Sequence, residues 1–400
     1  MIESGAIISE LQVDEIISSS QIISTHIADD PIRLAFKGVS STLCNQIKFL
    51  QKSRTKLPCY YANFCIIPSV SYEQSSSEAT AQAKEFGDGL LAVDLTCGLG
   101  VDSLYLSRRF EKVITVERDQ TLCRVARHNF AKLSAHNIEV HNCDALDFLT
   151  NNTALRPDLI YIDPARRNSQ KRLFLLEDCS PNMADIMPLA AKMAKKVAVK
   201  LSPLFDVDAA YLFFKKWGSC SVETISHRNE CKEVVAIITP GESGEEEFMS
   251  VRVVDGVGKS RHYSFPKLQE LDSSKGDREL SHYTYVYIPD IAFYKSRTIA
   301  NLMSITYNLQ DYFAPSQNSP IFTDSQTSDF EGTSYKIVKS MAYKPKELRK
   351  ELKKDGNRAK ILIKDSKFSV QQIKKELNLK DAPAPILLFT SDYVFELTSL

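Results

Sequence analysis

Four acidic residues each follow a short apolar stretch, and the first of them opens a turn suited to a nucleotide-like cofactor. Asp94 begins the glycine-rich turn 94–100, which lies between the apolar run 90–93 and an amphipathic segment. Gly98 and Gly100 allow the backbone to pass close to a ligand, because glycine has no Cβ. The amphipathic segment predicts a helix whose first free N–H groups point at that ligand. We expect the ligand in the crevice beyond the carboxyl ends of a parallel sheet.

The other three acids end the strands that follow. Glu117 closes the run 112–116 and is positioned to accept hydrogen bonds from both ribose hydroxyls, as an acid does in nicotinamide enzymes and in methyltransferases. Asp144 comes after the third predicted strand, 138–141, where it can accept from an adenine amino group. Asp163 begins an Asp-Pro turn after the fourth strand, beside the site where chemistry would occur.

Acidic residues at strand ends also serve as caps of the next helix. For Asp144 or Asp102 taken alone, capping is the favoured interpretation, whereas the three other acids in register favour ligand binding. A nicotinamide enzyme is disfavoured, because Ser103 stands where the dinucleotide motif has its third glycine. The Asp-Pro turn at Asp163 also counts against that class.

Length and composition limit the classes of protein to consider. With 400 residues, two or three domains are expected. The chain is 43% apolar and 25% charged, and its net charge of zero gives no overall field that favours nucleic acid or membrane. Its nine cysteines form no C-x-x-C pair, which fits a reducing cytoplasm and predicts no metal site. We find neither a signal-peptide pattern nor an apolar run of the roughly 18 residues that a membrane span needs.

The element patterns divide the chain into four predicted segments. Residues 1–72 have helical periodicity, 73–280 contain the βα units, and 281–328 and 329–400 are two smaller α+β segments. The overall prediction is an α/β fold with an N-terminal helical region and a C-terminal α+β module. Residues 331–400 hold 15 Lys or Arg against 9 Asp or Glu, a net charge of +6. This excess suggests a phosphate-bearing partner, although a solvated lysine-rich helix face would give the same count.

Two helix starts are also predicted. Ser75 and Glu78 match a capping box that opens a short helix running toward Phe86. Ser180 is predicted as an N-cap, with Pro181 at the first helical position.

Four stretches together resemble a bacterial family of methyltransferases that use S-adenosylmethionine. The stretches are residues 73–78, 94–102, 163–167 and 200–203. The resemblance implies a Rossmann-like class I methyltransferase sheet in the segment 73–280. It further implies a ferredoxin-like domain at 281–328 and a THUMP-like domain at 329–400. Because THUMP domains occur in RNA-modifying enzymes, it also implies an RNA substrate, either tRNA or rRNA.

The strand ends and the resemblance together give a set of candidate site residues. The candidates for cofactor binding are Asp94, Thr96, Cys97, Gly98, Gly100, Asp102, Glu117, Arg118, Asp144, Ala145 and Asp163. The catalytic candidates are Asp163, Arg166 and Lys200, and the substrate-binding candidates are Pro164, Arg166 and Arg167. Methyl transfer from a sulfonium needs alignment and exclusion of water, and a nitrogen acceptor also needs a group that orients its lone pair or accepts a proton.

The residues around the Asp-Pro turn leave the acceptor open. Enzymes that methylate exocyclic base nitrogens usually carry an aromatic residue three positions after the Asp, where this chain has Arg166. Arg166 and Arg167 suit a bidentate phosphate contact or stacking on a base. Lys200 either pairs with Asp163 or contacts substrate.

The sequence thus predicts a methyltransferase that uses S-adenosylmethionine and acts on RNA. One alternative keeps the enzyme and changes the substrate to a protein or a small molecule. Another is a non-catalytic RNA-binding protein that retains a cofactor pocket. Salt-dependent RNA binding would separate the first alternative from the prediction, and methyl transfer from labelled donor to RNA would separate the second.

Overall fold

A computed structural model describes residues 8–166, 176, 179–241, 248–266, 280–353 and 356–400. The chain forms two compact units, one comprising Met1–Arg228 with Lys232–His262, the other Asn229–Cys231 with Tyr263–Leu400. Among the described residues, no helix is both long enough and apolar enough to span a bilayer.

The helices of the first unit are α1 (Glu10–Ser18), α2 (Ser20–Thr25), α3 (Pro31–Phe36), α4 (Ser41–Lys56), α5 (Pro58–Ala62), α6 (Ser69–Gln74), α7 (Glu78–Ala83), α8 (Val101–Leu106), α9 (Gln120–Lys132), α10 (Ala145–Asn151), α11 (Met183–Met193) and α12 (Val207–Phe214). Those of the second unit are α13 (Ile291–Ser296), α14 (Ile299–Asn301), α15 (Pro345–Leu352) and α16 (Val370–Leu377).

The strands up to residue 266 are β1 (Gly89–Asp94), β2 (Phe110–Glu117), β3 (Ile138–Asn142), β4 (Leu159–Ile162), β5 (Ala165–Arg166), β6 (Cys179–Ser180), β7 (Lys196–Leu201), β8 (Gly218–His227), β9 (Glu230–Pro240), β10 (Phe248–Val254) and β11 (Ser260–Pro266). The remaining strands are β12 (Tyr285–Pro289), β13 (Ile321–Thr323), β14 (Gly332–Ala342), β15 (Arg358–Ile363), β16 (Lys380–Phe389) and β17 (Tyr393–Ser399).

A nine-stranded sheet organises the first unit, in the order β11-β10-β8-β9-β7-β4-β1-β2-β3. Strands β3, β2, β1, β4 and β7 run parallel, and β9 lies antiparallel beside β7. The carboxyl ends of the five parallel strands therefore share one edge, where the predicted acids follow them. This arrangement agrees with the predicted class I methyltransferase sheet.

Both faces of the sheet are covered. All four residues of β4 are buried, as expected for a parallel strand between two helical layers. Val93, Ile160 and Val199 point into the core under α10, α11 and α12. Their neighbours Ala92 and Tyr161 point to the opposite face, toward α7 and α8. The side chains of these strands therefore alternate between two apolar cores.

The N-terminal helices pack against α8 and α9 and belong to the same compact unit as the sheet. The Asn129 side chain accepts the Ile66 N–H at 2.8 Å and donates to the Ile66 carbonyl at 2.9 Å. The Tyr60 hydroxyl donates to the Leu99 carbonyl at 3.1 Å. The helical region is thereby tied to the glycine turn. The boundary at residue 72 remains a prediction.

The second unit is built on a six-stranded sheet in the order β13-β12-β14-β17-β16-β15. Helices α15 and α16 cover one face through Leu348, Leu352, Ile373 and Leu377. Strands from both predicted C-terminal segments, 281–328 and 329–400, share this sheet, so the division between them also remains a prediction.

Both predicted helix starts are displaced by two residues. Ser77, rather than Ser75, caps α7 by accepting the Thr80 N–H at 3.1 Å, and α7 ends at Ala83. The capping box fails because the Glu78 carboxylate turns away to the N–H groups that begin α5.

Asn182, rather than Ser180, caps α11. Ser180 is not available as the cap, because it lies in β6 and pairs with Ala165.

Candidate active site

Asp94 holds the glycine turn together from the inside. The side chain is fully buried, and its carboxylate accepts the Thr96 N–H at 2.9 Å and the Ser103 hydroxyl at 2.5 Å. Burial raises the pKa of Asp94 to about 7, although the hydrogen bonds from Ser103 and Thr96 work in the opposite direction. The geometry therefore gives Asp94 a structural part in the turn, and a direct contact to a cofactor remains a prediction.

The two glycines of the turn have different surroundings. Both have left-handed φ values, +53° at Gly98 and +83° at Gly100. A Cβ built on Gly98 would meet no atom within 4 Å, whereas one on Gly100 would lie 2.5 Å from Cζ of Phe130. Gly98 therefore borders open space, and Gly100 is required for close packing against α9.

Glu117 reaches from the end of β2 to the same turn. Its Oε2 accepts the Gly98 N–H and its Oε1 accepts the Asp119 N–H, both at 3.0 Å. A carboxylate has about four acceptor positions, so each oxygen can also receive a ribose hydroxyl. Glu117 is partly exposed beside the open space at Gly98, which fits the predicted contact to ribose.

Two further cofactor candidates, Cys97 and Arg118, differ in how exposed their side chains are. The Cys97 side chain is buried in the core under the N-terminal helices, which raises its pKa well above the usual range. Its backbone N–H donates to the Val116 carbonyl at 2.9 Å. The exposed Arg118 side chain donates to the Ser180 hydroxyl at 3.2 Å.

Asp144 caps α10 by accepting the Leu146 N–H at 2.8 Å. The side chain is exposed, and Ala145 beside it is buried. This contact fits the capping alternative, so adenine binding by Asp144 and Ala145 remains a prediction.

The Asp-Pro corner is joined to the cofactor turn and to β7. The Asp163 N–H donates to Thr96 Oγ1 at 2.7 Å, and Asp163 Oδ2 lies 2.5 Å from Lys200 Nζ. Strands β4 and β7 pair Ile162 with Val199, so Asp163 and Lys200 follow as the next pair in register. The Asp163 side chain is 32% exposed against 10% for Lys200. The aspartate can therefore face a substrate while the lysine supports it.

The pKa shifts define the charge states at this corner. Burial alone would lower the pKa of Lys200, but the carboxylates of Asp163 and Asp102 outweigh it and raise that pKa well above its usual range. Burial raises the pKa of Asp163, and the Lys200 ammonium counteracts part of this rise. Lys200 is thus a permanent cation and cannot act as a base at neutral pH.

Asp102 points away from the glycine turn, toward two lysines. Its Oδ1 lies 2.6 Å from Lys84 Nζ, and its Oδ2 accepts the Ser76 hydroxyl at 2.9 Å. Burial would raise the pKa of Asp102, but Lys84 and Lys200 lower it to about 2. A cofactor contact from Asp102 therefore remains a prediction.

The sequence analysis missed two of the residues gathered here, Lys84 and Glu233. Their side chains pair at 2.7 Å. One signal was available: Glu233 directly precedes the apolar run 234–238, and its position on β9 points it inward.

The loop after Asp163 is described only in part. Backbone pairing of Ala165 with Ser180 and of Arg166 with Cys179 forms a short antiparallel ribbon. Pro164 is half-buried. Arg167 lies outside the described residues, so the predicted contacts of the arginine pair to substrate remain predictions.

Comparisons with known proteins agree with this architecture. Residues 81–180 match the family described as conserved hypothetical protein 95, and residues 332–397 match the family described as THUMP domain-like. A crystal structure from Porphyromonas gingivalis W83, provisionally named a methyltransferase, superposes with a TM-score of 0.78 at 21% identity. The superposition covers 96% of this chain and 98% of the chain in that crystal structure. The fold is therefore shared over nearly the full length.

Two curated relatives match shorter stretches. Ribosomal RNA small subunit methyltransferase J of Bdellovibrio bacteriovorus is 33% identical over 103 residues, 24% of this chain and 41% of the relative. An uncharacterized S-adenosylmethionine-dependent methyltransferase of Mycobacterium tuberculosis H37Rv is 30% identical over 146 residues, 36% of this chain and 37% of the relative. The chain thus spans about two-fifths of the length of these relatives. The predicted resemblance to methyltransferases with a THUMP-like C-terminal part is confirmed, as is the fold class.

Proposed function

We propose that this protein transfers a methyl group from S-adenosylmethionine to RNA. The observation that carries the proposal is the open space at Gly98, bordered by the Glu117 carboxylate and linked through Thr96 to Asp163. A nucleoside is the ligand we infer for this space, because a carboxylate with unused acceptor positions suits the ribose hydroxyls. The methyl donor would then lie between the ribose site and the Asp-Pro corner.

The cofactor, when bound, supplies an electrophilic methyl group. Glu117 would hold its ribose, and the backbone at Gly98 would lie against it. Asp163 would accept a hydrogen bond from the acceptor group through Oδ1, which has no partner among the described residues. Lys200 would keep the Asp163 carboxylate oriented, because it binds Oδ2. Such alignment of donor and acceptor is the main contribution that a methyltransferase makes.

RNA as the substrate rests on three observations. One curated relative carries the name of a ribosomal RNA methyltransferase. The C-terminal strands and helices match a THUMP domain-like family. The net charge of +6 in residues 331–400 suits a polyanion, and the exposed Lys350 and Lys353 have no acidic partner among the described residues. A protein or a small molecule as substrate has no comparable support.

The test is transfer of a labelled methyl group. We expect the protein to label RNA from cells that lack it, and nucleoside mapping then identifies the acceptor atom. Asp163→Asn removes the charge at nearly constant shape and is expected to reduce labelling strongly while S-adenosylmethionine still binds. Label in protein or in small molecules alone would favour the first alternative, and cofactor binding without any transfer would favour the non-catalytic one.

A further inference from the structure

Behind the Asp-Pro corner lies a set of five polar side chains, which we call the buried charge cluster. Its members are Ser76, Lys84, Asp102, Lys200 and Glu233. Ser76, Lys84, Lys200 and Glu233 are each less than one-tenth exposed, and the Asp102 side chain is 13% exposed. They come from both ends of α7, from α8, from β7 and from β9. Four elements of the fold therefore converge on this point.

Four of the five side chains close a ring. Lys84 Nζ lies 2.6 Å from Asp102 Oδ1 and 2.7 Å from Glu233 Oε2. On the other side, Ser76 Oγ lies 2.9 Å from both Asp102 Oδ2 and Glu233 Oε1. The ammonium and the hydroxyl thus contact the same two carboxylates, although the single hydroxyl proton can be donated to only one of them at a time.

Lys200 stands between this ring and Asp163. Its Nζ is 3.1 Å from Ser76 Oγ and 3.8 Å from Asp102 Oδ2, compared with 2.5 Å from Asp163 Oδ2. The lysine therefore has carboxylates on two sides, and its closest contact is to Asp163. How strongly Asp102 attracts it depends on how well Lys84 neutralises Asp102.

We propose that Lys84 and Glu233 are positioning residues for methyl transfer, because their opposite charges cancel within the ring and thereby keep Lys200 on Asp163. This inference rests on the proposed function. A purely stabilising role explains the cluster less well, since buried ion pairs often add little stability compared with an apolar core of the same volume. A fixed contact at Oδ2, in contrast, leaves Oδ1 of Asp163 facing the acceptor.

Lys84→Met tests the charge balance. Asp102 and Glu233 then lose the cation that they share, and we expect Lys200 to be drawn toward them and away from Asp163. The expected result is at least a tenfold lower kcat with labelled S-adenosylmethionine and total RNA from cells lacking the protein. The Kd for S-adenosylmethionine should stay within twofold of the wild type, since Lys84 does not border the open space at Gly98.

The dependence of kcat on pH is a second readout, because loss of packing alone would not shift it. Asp163 is faced by the charged groups of Lys200, Asp102, Lys84 and Asp94, with the Tyr161 hydroxyl also close. Lys84 is one of the cations that lower its pKa. Removal of that cation should therefore move the acid limb of the kcat profile to higher pH.

A double variant distinguishes positioning from packing. Lys84→Met with Glu233→Gln removes one charge of each sign, so the ring returns to its native net charge of −1, that of Asp102 alone. We expect the double variant to regain most of the kcat lost in Lys84→Met. A kcat in the double variant that is no higher than the kcat of Lys84→Met would overturn the proposal.

Glu223→Gln is the matched control. Glu223 is a buried glutamate of the same unit, with Arg252 at 3.0 Å and His262 at 3.3 Å. Its substitution should lower the melting temperature but leave the kcat profile unmoved.

Crystal structures of the variants test the geometry without any substrate. If the wild type labels no RNA, the proposed function fails, and the distance between Lys200 Nζ and Asp163 Oδ2 decides this inference. It should exceed 3.5 Å in Lys84→Met and return below 3 Å in the double variant. An unchanged contact in Lys84→Met would refute the inference.

Discussion

Glu117→Gln is the most direct test of the ribose site. In the native side chain both carboxylate oxygens accept a backbone N–H, from Gly98 and from Asp119. Glutamine replaces one acceptor by an NH₂ donor, so one backbone N–H and one ribose hydroxyl lose their acceptor. A hydrogen bond to a charged group contributes about 1.5–3 kcal/mol. The backbone bond is lost in the free and the cofactor-bound protein alike, so only the ribose bond changes the binding free energy. Because Glu117 is partly exposed, we take the lower value for that bond, about 1.5 kcal/mol.

A loss of this size weakens binding about tenfold. Isothermal titration calorimetry should therefore show this change in Kd for S-adenosylmethionine. The demethylated product shares the ribose, so its Kd should rise by the same factor and the ratio of the two should stay constant. Glu111→Gln, on the exposed part of the same strand, is the control and should bind both ligands like the wild type.

Two results would refute this reasoning. A Kd within threefold of the wild type, in a variant with native thermal unfolding, would mean that Glu117 does not contact the ribose. A weaker Kd for the methyl donor with an unchanged Kd for the product would mean that the carboxylate acts on the sulfonium instead.

Three further predictions follow from the site. Gly100→Ala should lower the free energy of unfolding by about 3 kcal/mol through strain and overpacking. Gly98→Ala should lower it less and weaken cofactor binding more. Chemical denaturation measures the stability of the two variants, and calorimetry measures their binding. Because burial raises the pKa of Asp94 to about 7 from 3.8, the native state holds its proton to higher pH than the unfolded state does. The stability advantage over Asp94→Asn should therefore fall by about 3 kcal/mol between pH 4 and pH 7. Charge reversal at Lys350 and Lys353 should weaken RNA binding and flatten its salt dependence in filter-binding assays, while thermal unfolding stays unchanged.

The central sheet was predictable because its signals are local. The apolar run 159–162 coincides with β4, and β1, β2 and β3 lie within two residues of the predicted runs 90–93, 112–116 and 138–141. In each case a buried strand needs a continuous apolar run, and a glycine, proline or acid ends that run. The resemblance then implied the type of sheet, but not the order of its strands.

Helix ends were less predictable, because tertiary contacts decide them. The segment 291–308 reads as one amphipathic helix, but α13 ends at Ser296 and Arg297 takes a left-handed φ of +59°. No glycine or proline marks that break in the sequence. Likewise, Glu78 was expected to cap its own helix, but it binds the start of α5 instead.

In the candidate site too, residues placed by local sequence patterns were predictable, whereas contacts between distant parts of the chain were not. Spacing alone brought Asp94, Glu117 and Asp163 to one edge of the sheet, because parallel strands share that edge. Spacing could not pair Lys84 with Glu233, since 149 residues separate them in the chain. Such a pair is recognisable from a sequence only as a charged residue that faces inward on an apolar strand.

The acids at the sheet edge are not equivalent, and their exposure divides their roles. Asp94 is fully buried and its carboxylate is already bonded to its own turn, so a ligand could reach it only by breaking those bonds. Glu117 and Asp163 remain partly exposed and have acceptor positions to spare. An unpaired buried carboxylate is costly, and the hydroxyl of Ser103 offsets that cost at Asp94. The serine that replaces a motif glycine therefore supports the turn from within, and the outer two acids are the candidates for the proposed contacts to cofactor and acceptor.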